Sequence, residues 1–159
     1  MAKRTYREFK QGIFKPINRK KCINQTLPVF RSGLESQLMV ILDKNPNVEL
    51  WGSENIIIPY FKVTENRWAR YFVDFYVKMK IGNETKEYLI ETKPHSQTVL
   101  KEYSSRAKRS TVAYAAMEYA VNQAKWEAAK KYCEEKTKKG RKMEFLVVTE
   151  KNIAFISNK

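Results

Sequence analysis

The fold is decided by the stretch Glu87-Tyr88-Leu89-Ile90-Glu91-Thr92-Lys93 and the earlier run Arg70-Tyr71-Phe72-Val73-Asp74-Phe75-Tyr76-Val77. Both runs are rich in β-forming residues, which predicts two strands. Gly82-Asn83, between them, has the residues of a two-residue hairpin turn with glycine first. In such a hairpin the numbers of paired residues sum to 165, which places Asp74 opposite Glu91. Lys93 then shares their face, because side chains alternate along a strand.

Two acids and a lysine in one small volume are the residues expected at a site that holds a divalent metal beside a phosphodiester. Mg²⁺ takes oxygen ligands, usually one or two carboxylates with waters and phosphate oxygens. Asp74 and Glu91 are therefore candidate ligands, with the backbone carbonyl of Thr92 as a third. Lys93 would orient the attacking water or offset charge on the phosphate. The alternative is that both acids are strand-end residues paired with Lys93 or Arg70 on a solvated sheet face, and a turn with an odd number of residues would remove the register argument.

The composition is that of a folded, strongly basic domain. The 159 residues fit one domain, and 43% of them are hydrophobic, which excludes a disordered polycation. Lys and Arg number 31 against 17 Asp and Glu, for a net charge of +14. Such a charge indicates a polyanionic partner, with nucleic acid the first candidate.

Few residues are available for other chemistries. Two distant cysteines, Cys22 and Cys133, and the single histidine His95 do not make a zinc site. Free thiols in a reducing cytoplasm are the simpler interpretation of the cysteines, with a lone disulfide left open. The sequence has no signal-peptide core and no apolar run long enough to span a membrane. We therefore expect a protein made in the cytosol and kept there or packaged from there.

The N-terminal part is predicted to be a basic arm, residues 1–27, preceding a single domain, residues 28–159. Residues 1–31 hold nine Lys or Arg and one acid, a local net charge of +8, with Tyr6, Phe9 and Phe14 among them. One interpretation is a solvated, loosely ordered arm. The other is an arm that grips phosphates and stacks its aromatic rings on bases or on the fold.

The rest of the chain predicts an α/β fold, a mixed sheet flanked by helices on both sides. A helix follows Ser32, since Leu34, Leu38 and Leu42 share one face, and Pro46 ends it. Ser32-x-x-Glu35 matches a capping box in which Glu35 reaches back to the Ser32 amide. Extended chain is predicted from Val48 to Phe61, with a bend near Gly52 and a second half that is buried on both faces. A buried strand is predicted from Met143 to Thr149. The short tail that follows it, Ile153 to Ile156, is predicted to pack on the core.

Between Lys93 and that last strand, we expect a basic loop or lid and then a long helix. The loop contains His95, Lys101, Arg106, Lys108 and Arg109. The helix begins near Ser110 and stops at Gly140, with a break at Val121-Asn122. Its apolar stripe is Tyr114, Met117, Val121, Ala124, Ala128 and Tyr132.

A helix carrying Glu35, a strand with Asp74 and then Glu91-Thr92-Lys93 resemble the PD-(D/E)xK nuclease superfamily. Val73 stands where the proline of that motif would be. The resemblance implies a restriction-endonuclease-like core that holds Mg²⁺, with Mn²⁺ expected to substitute, and cuts DNA. It implies a site of Glu35, Asp74, Glu91 and Lys93. It thereby favours a metal-site role for Glu35 over a purely capping one.

A second set of motifs is similar to the head-completion nucleases of large contractile-tailed bacteriophages. The shared strings are Phe30-Arg31-Ser32-x-x-Glu35, Leu42 to Pro46, Trp51 to Glu54, Ile58 to Phe61, Arg70 to Asp74 and Asn122-x-x-Lys125-Trp126. The similarity implies an endonuclease acting on DNA ends or at the portal after packaging, in the virion head and the host cytoplasm. Candidate DNA-contacting residues are Arg31, His95, Lys101, Arg106, Lys108, Arg109, Gln123 and Lys125.

Two other functions fit the same residues. One is a non-catalytic DNA-binding component of the head or portal that keeps the nuclease fold. The other is a transposon-type or restriction-type endonuclease that relies on a partner for target choice. The oligomeric state is left open.

Overall fold

A computed structural model describes residues 11–157, which form strands and helices in mixed order. The elements are β1 (Gly12–Ile13), β2 (Val29–Phe30), α1 (Gly33–Lys44), β3 (Val48–Ser53), β4 (Ile57–Lys62), β5 (Arg67–Phe72), β6 (Phe75–Ile81), β7 (Glu84–Thr92), α2 (Arg109–Lys138), β8 (Met143–Val148) and α3 (Ala154–Ser157). Single 3₁₀ turns lie at Arg19–Lys21 and His95–Gln97.

The central sheet has four strands in the order β3-β6-β7-β8. The strands β3, β6 and β7 are antiparallel, and β8 pairs with β7 in parallel. A parallel neighbour requires a crossover connection, which α2 provides between β7 and β8. The predicted mixed sheet is therefore confirmed.

The β6–β7 hairpin has the predicted register. Its pairs run from Phe75 with Ile90 to Ile81 with Glu84, and each pair sums to 165. Gly82, the first turn residue, has a φ of +63°, a conformation that costs glycine least. One turn glycine thus fixes which side chains meet at the far end of the hairpin.

The run from Arg70 to Val77 is not one strand. It divides between β5 and β6, which belong to different sheets, because β4 and β5 form a separate two-stranded sheet. Val73 and Asp74 make the junction, and the Asp74 carbonyl accepts a hydrogen bond from the Glu54 amide. The expected single strand was therefore wrong, although the β6 half has the register it predicts.

The predicted extended segment from Val48 to Phe61 is also two strands, and the chain turns at Glu54 rather than at Gly52. Glu54 has a φ of +55°, whereas Gly52 lies inside β3, where a Cβ atom would meet the Asn55 side chain. Alternate residues of β4 are exposed, so the expected burial on both faces was wrong. The sheet of β4 and β5 covers the core with one face only.

Apolar cores lie on both faces of the central sheet. On one face Leu38, Met39 and Leu42 of α1 belong to the same buried cluster as Trp51 and Phe75. On the other, Ala129 and Cys133 of α2 are grouped with Tyr71 of β5 and Leu89 of β7. The predicted arrangement of helices on both sides is confirmed.

The long helix α2 is continuous through Val121 and Asn122, so the predicted break is absent. Gly140 follows its end with a φ of +92°, in agreement with the predicted stop. The apolar stripe packs on the core only in its second half, whose residues are half-buried, whereas Tyr114 is 66% and Met117 49% exposed. The first half of α2 thus leaves the apolar core.

Residues 11–27 of the predicted arm pack on the domain. Asp43 is 1% exposed, and one of its carboxylate oxygens accepts a hydrogen bond of 2.8 Å from the Ile17 amide. The ring of Phe14 lies edge-on to Trp51 at 5.8 Å, and Cys22 is buried as a free thiol. The arm residues 1–10, with Tyr6 and Phe9, lie outside the described residues.

The predicted C-terminal tail also packs on the core, since Ile153 and Ile156 are buried. Within residues 11–157, no helix is both long enough and apolar enough to cross a membrane.

Candidate active site

Asp74 is held at the junction of β5 and β6 by the last residue of β7. Its Oδ2 accepts hydrogen bonds of 2.8 Å from both the amide and the hydroxyl of Thr92. It lies one residue beyond the last ladder pair, Phe75 with Ile90. The hairpin register therefore brings Asp74 to the residues that follow Ile90, as the sequence predicts.

Glu91 is buried beside Asp74, with 5% of its surface exposed. Its Oε2 accepts a hydrogen bond of 2.7 Å from the hydroxyl of Tyr71. Its Oε1 lies 3.5 Å from the Nζ of Lys93. The structure thus brings together the two acids and the lysine that the sequence places on one face.

The two carboxylates repel each other in a poorly solvated place. Burial raises the pKa of Glu91 to about 7, with the charge of Asp74 as the second cause, against the lowering effects of Tyr71, Lys93 and Lys125. Burial also raises the pKa of Asp74, against its bonds to Thr92. A cation between the two groups would relieve both effects.

The donor set fits a hard divalent metal held by two carboxylates. Oxygen ligands of this kind suit Mg²⁺, which completes its shell with waters and substrate oxygens. Among residues 11–157, no group of three or more His, Cys, Asp or Glu side chains is arranged to hold one ion. Asp74 and Glu91 therefore form a pair of candidate ligands, and Glu35 does not join them as a third carboxylate around one ion.

Glu35 caps the start of α1. Its amide donates to the Ser32 hydroxyl at 3.1 Å, which is the predicted capping bond. Its carboxylate accepts a hydrogen bond of 2.7 Å from the amide of Arg31, not from that of Ser32 as expected. Burial raises the pKa of Glu35, and the charge of Asp74 contributes, so Glu35 lies within the electrostatic range of Asp74 while it caps the helix.

Lys125 of α2 lies next to the acid pair. Its Nζ is 5.6 Å from the ring centre of Tyr71 and 5.8 Å from that of Tyr60, and it lowers the pKa of Glu91. Gln123 is half-buried on the same helix. The structure thus places Lys125 within the electrostatic range of Glu91, although no helix break positions it.

Most of the predicted DNA-contacting residues are exposed. Lys101 stacks on Tyr103 with its Nζ 5.2 Å from the ring centre, and Arg106, Lys108 and Arg109 are exposed. His95 begins a 3₁₀ turn, and its amide donates to Glu150. Arg31 pairs with Glu54 at 2.5 Å.

Two residues of the site were not foreseen. Tyr71 orients Glu91, and Glu54 acts electrostatically on Asp74 while it binds Arg31. Because a tyrosine is common in β-strands, the sequence does not indicate that Tyr71 contacts Glu91. That contact becomes clear only once β5 and β6 are known to belong to different sheets. The positive φ of Glu54 was not predictable either, because a positive φ is usually indicated by a glycine or an asparagine and this position holds a glutamate.

An acid pair with a lysine at the ends of adjacent strands, on a mixed sheet between helices, defines a nuclease of the PD-(D/E)xK class. The chain belongs to the TnsA-like endonuclease family, since the family model described as "TnsA-like endonuclease N terminal" matches residues 45–150. It is also 34% identical over 124 residues to the "Head completion nuclease" of Enterobacteria phage T4, covering 76% of this chain and 77% of that protein. Nucleases of this class depend in general on a divalent metal.

Proposed function

We propose that this chain is a Mg²⁺-dependent DNA endonuclease that acts in phage head completion. The observation that carries the proposal is the position of Lys93, whose ammonium lies 3.5 Å from the carboxylate of Glu91. Asp74, the second acid of the pair, is fixed beside them by its hydrogen bonds to Thr92. Metal-dependent phosphodiester hydrolysis uses carboxylates that hold the metal and benefits from a cation beside the phosphate, and this corner of the fold supplies both.

Each described contact has a use in that chemistry. Asp74 and Glu91 would hold Mg²⁺, and the carbonyl of Thr92 is a further candidate ligand. The metal, when bound, would polarise the phosphoryl oxygen and make water a better nucleophile. Tyr71 and the Thr92 hydroxyl fix the orientation of the two carboxylates. Lys93 offsets the negative charge that grows on the phosphate.

The charge distribution suits DNA. The protein carries +14 overall, whereas its buried acids form a small negative centre. Phosphates bind the exposed lysines and arginines through a sequence-independent, salt-sensitive attraction. We assign this role to Arg31, His95, Lys101, Arg106, Lys108 and Arg109, and also to Gln123 and Lys125, of which Lys125 acts electrostatically on Glu91.

The biological setting follows from the T4 relative, whose name is "Head completion nuclease". We infer that this chain also acts on DNA in the head, with head or portal proteins as partners, and resides in the virion and the host cytoplasm. Glu35 would adjust the site electrostatically from the start of α1, in addition to its capping role.

The decisive experiment compares wild type with Asp74→Ala and Lys93→Ala on plasmid and linear DNA, in Mg²⁺, Mn²⁺ or EDTA. We expect cleavage by wild type in either metal and none in EDTA, with losses of at least about a hundredfold in both variants. Lys130→Ala, an exposed lysine on α2, is the matched control and should cleave normally. Thermal melting of each variant checks the fold.

Three results would contradict all or part of the proposal. Salt-sensitive DNA binding without any metal-dependent cutting would favour the non-catalytic head component. Equal cleavage by wild type, Asp74→Ala and Lys93→Ala would place the chemistry elsewhere. Cleavage only at defined sequences, without head proteins, would favour a transposon-type or restriction-type role over head completion.

A further inference from the structure

A cleft of about 330 Å³ lies between the loop after β7 and the first half of α2. Tyr103 of the loop and Tyr114 and Tyr119 of the helix line it, and we call it the tyrosine cleft. Lys93 is also a lining residue, and the same ammonium contacts Glu91. The tyrosine cleft therefore opens beside the acid pair.

The surface of the tyrosine cleft is more apolar than the fold requires. Tyr114 is 66% exposed, and Val99 and Leu100 of the loop are 54% and 56% exposed. These side chains stabilise no core, yet they surround a concavity next to the reactive groups. Apolar and aromatic walls with a few polar groups are typical of a ligand site.

The polar groups of the tyrosine cleft identify its ligand. Its rim carries the cations Lys93 and Lys101, and its walls carry the neutral hydrogen-bonding side chains Ser96, Gln97 and Asn122. A single acid, the exposed Glu118, is also present. A nucleotide presents a flat base, a hydrogen-bonding edge and a phosphate, which match the rings, the amides and the ammonium groups respectively.

We propose that the tyrosine cleft holds one unpaired nucleotide of the DNA, next to the phosphate that lies at the acid pair. This inference rests on the proposed function and narrows its substrate to DNA with single-stranded or frayed nucleotides. A base inside a duplex must leave its stack to enter such a site, and that cost is least for a base already unpaired. DNA ends with overhangs are then better substrates than fully paired DNA.

The binding test uses the full chain in EDTA and a duplex with a short overhang that contains 2-aminopurine, whose fluorescence falls on stacking. We expect wild type to quench the overhang probe. The double variant Tyr103→Leu with Tyr114→Leu should bind the overhang about tenfold more weakly, because base–aromatic stacking is worth about 1–3 kcal/mol per base. The ratio of overhang affinity to blunt-duplex affinity should therefore fall in the double variant.

Trp68→Leu is the matched control, since Trp68 is 68% exposed on β5 and is not one of the residues that line the cleft. It should quench like wild type. A cleavage assay in Mg²⁺ then compares overhang with blunt DNA, where the double variant should lose the preference for overhang DNA that wild type shows and Trp68→Leu should keep it. Circular dichroism melting confirms that the variants fold.

Absence of quenching by wild type, or equal affinity of wild type and the double variant for the overhang, would overturn the inference. A wild type that cleaves neither DNA would contradict the proposed function, whereas the fluorescence result would still decide about the tyrosine cleft. Competition of the probe by an acidic peptide but not by single-stranded DNA would also refute a nucleotide as the ligand.

Discussion

Replacing Glu91 with glutamine should stabilise the metal-free protein at neutral and alkaline pH. The pKa of Glu91 rises from its ordinary 4.5 to about 7, chiefly through burial and then through the charge of Asp74. The folded state therefore binds the proton of Glu91 more tightly than the unfolded state does. The stabilisation of the fold by this bound proton is complete below pH 4.5 and is lost as the pH rises through 7. Since each pKa unit corresponds to 1.36 kcal/mol, the ionised, metal-free fold is about 3 kcal/mol less stable at pH 8 than one with a neutral side chain.

The assay is thermal unfolding in EDTA at pH 5 and pH 8. For a chain of this size we expect Glu91→Gln to raise Tm by about 6–12 °C at pH 8 and by much less at pH 5. Glutamine keeps an acceptor for the Tyr71 hydroxyl, so the hydrogen bond seen at 2.7 Å is not a separate cause.

Mg²⁺ should reverse the order of stability. A ligand that binds only the folded state stabilises it, so wild type should gain Tm with Mg²⁺ at pH 8 while Glu91→Gln gains little. The control is Glu127→Gln, which changes an exposed acid on α2 and should shift neither value. A Tm of Glu91→Gln equal to or below that of wild type in EDTA at pH 8 would refute the electrostatic account of the site.

Two further predictions separate structural from catalytic contributions. Glu35→Gln keeps an acceptor for the Arg31 amide, so unfolding free energy should fall by less than about 1 kcal/mol, while DNA cleavage falls at least tenfold; unchanged cleavage would leave Glu35 with its capping role alone. Asp43→Ala removes the carboxylate that binds the amides of Ile17 and Asn18, which should cost about 1–3 kcal/mol and make residues 11–27 sensitive to limited proteolysis; an unchanged digestion pattern would contradict this.

The hairpin shows what can be predicted from the sequence. Gly82 and Asn83 determine its register, and the register determines that Asp74 approaches the end of β7. A turn of two residues leaves few alternatives, because a slip of one residue would move every apolar side chain to the other face. For that reason the acid pair and Lys93 were predictable from local information.

The junction at Val73 and Asp74 was not predictable in the same way. The run from Arg70 to Val77 contains no proline or glycine and has the composition of one strand, although it divides between two sheets. The small sheet to which its first half belongs packs on α2, a distant part of the chain, through β4 and through the buried cluster that holds Tyr71. Tyr71 becomes a partner of Glu91 only through that tertiary arrangement.

The predicted break in the long helix was wrong for a related reason. Val121 and Asn122 are weak helix formers, which favoured a break, but packing of the second half of α2 on the sheet overrides a preference of that size. The first half has no such packing, so Tyr114 and Met117 are exposed although they follow the same apolar period.

The parallel pairing of β7 with β8 has a consequence for the order in which the enzyme is made. The amide of Lys93 donates to the carbonyl of Val148, so the strand that carries Glu91 and leads to Lys93 is completed by residues about fifty positions further along the chain. A polypeptide still on the ribosome, with α2 only just emerged, has no β8 to pair with that edge. The edge of β7 that carries Glu91 therefore stays unpaired until residues 143–148 have been synthesised.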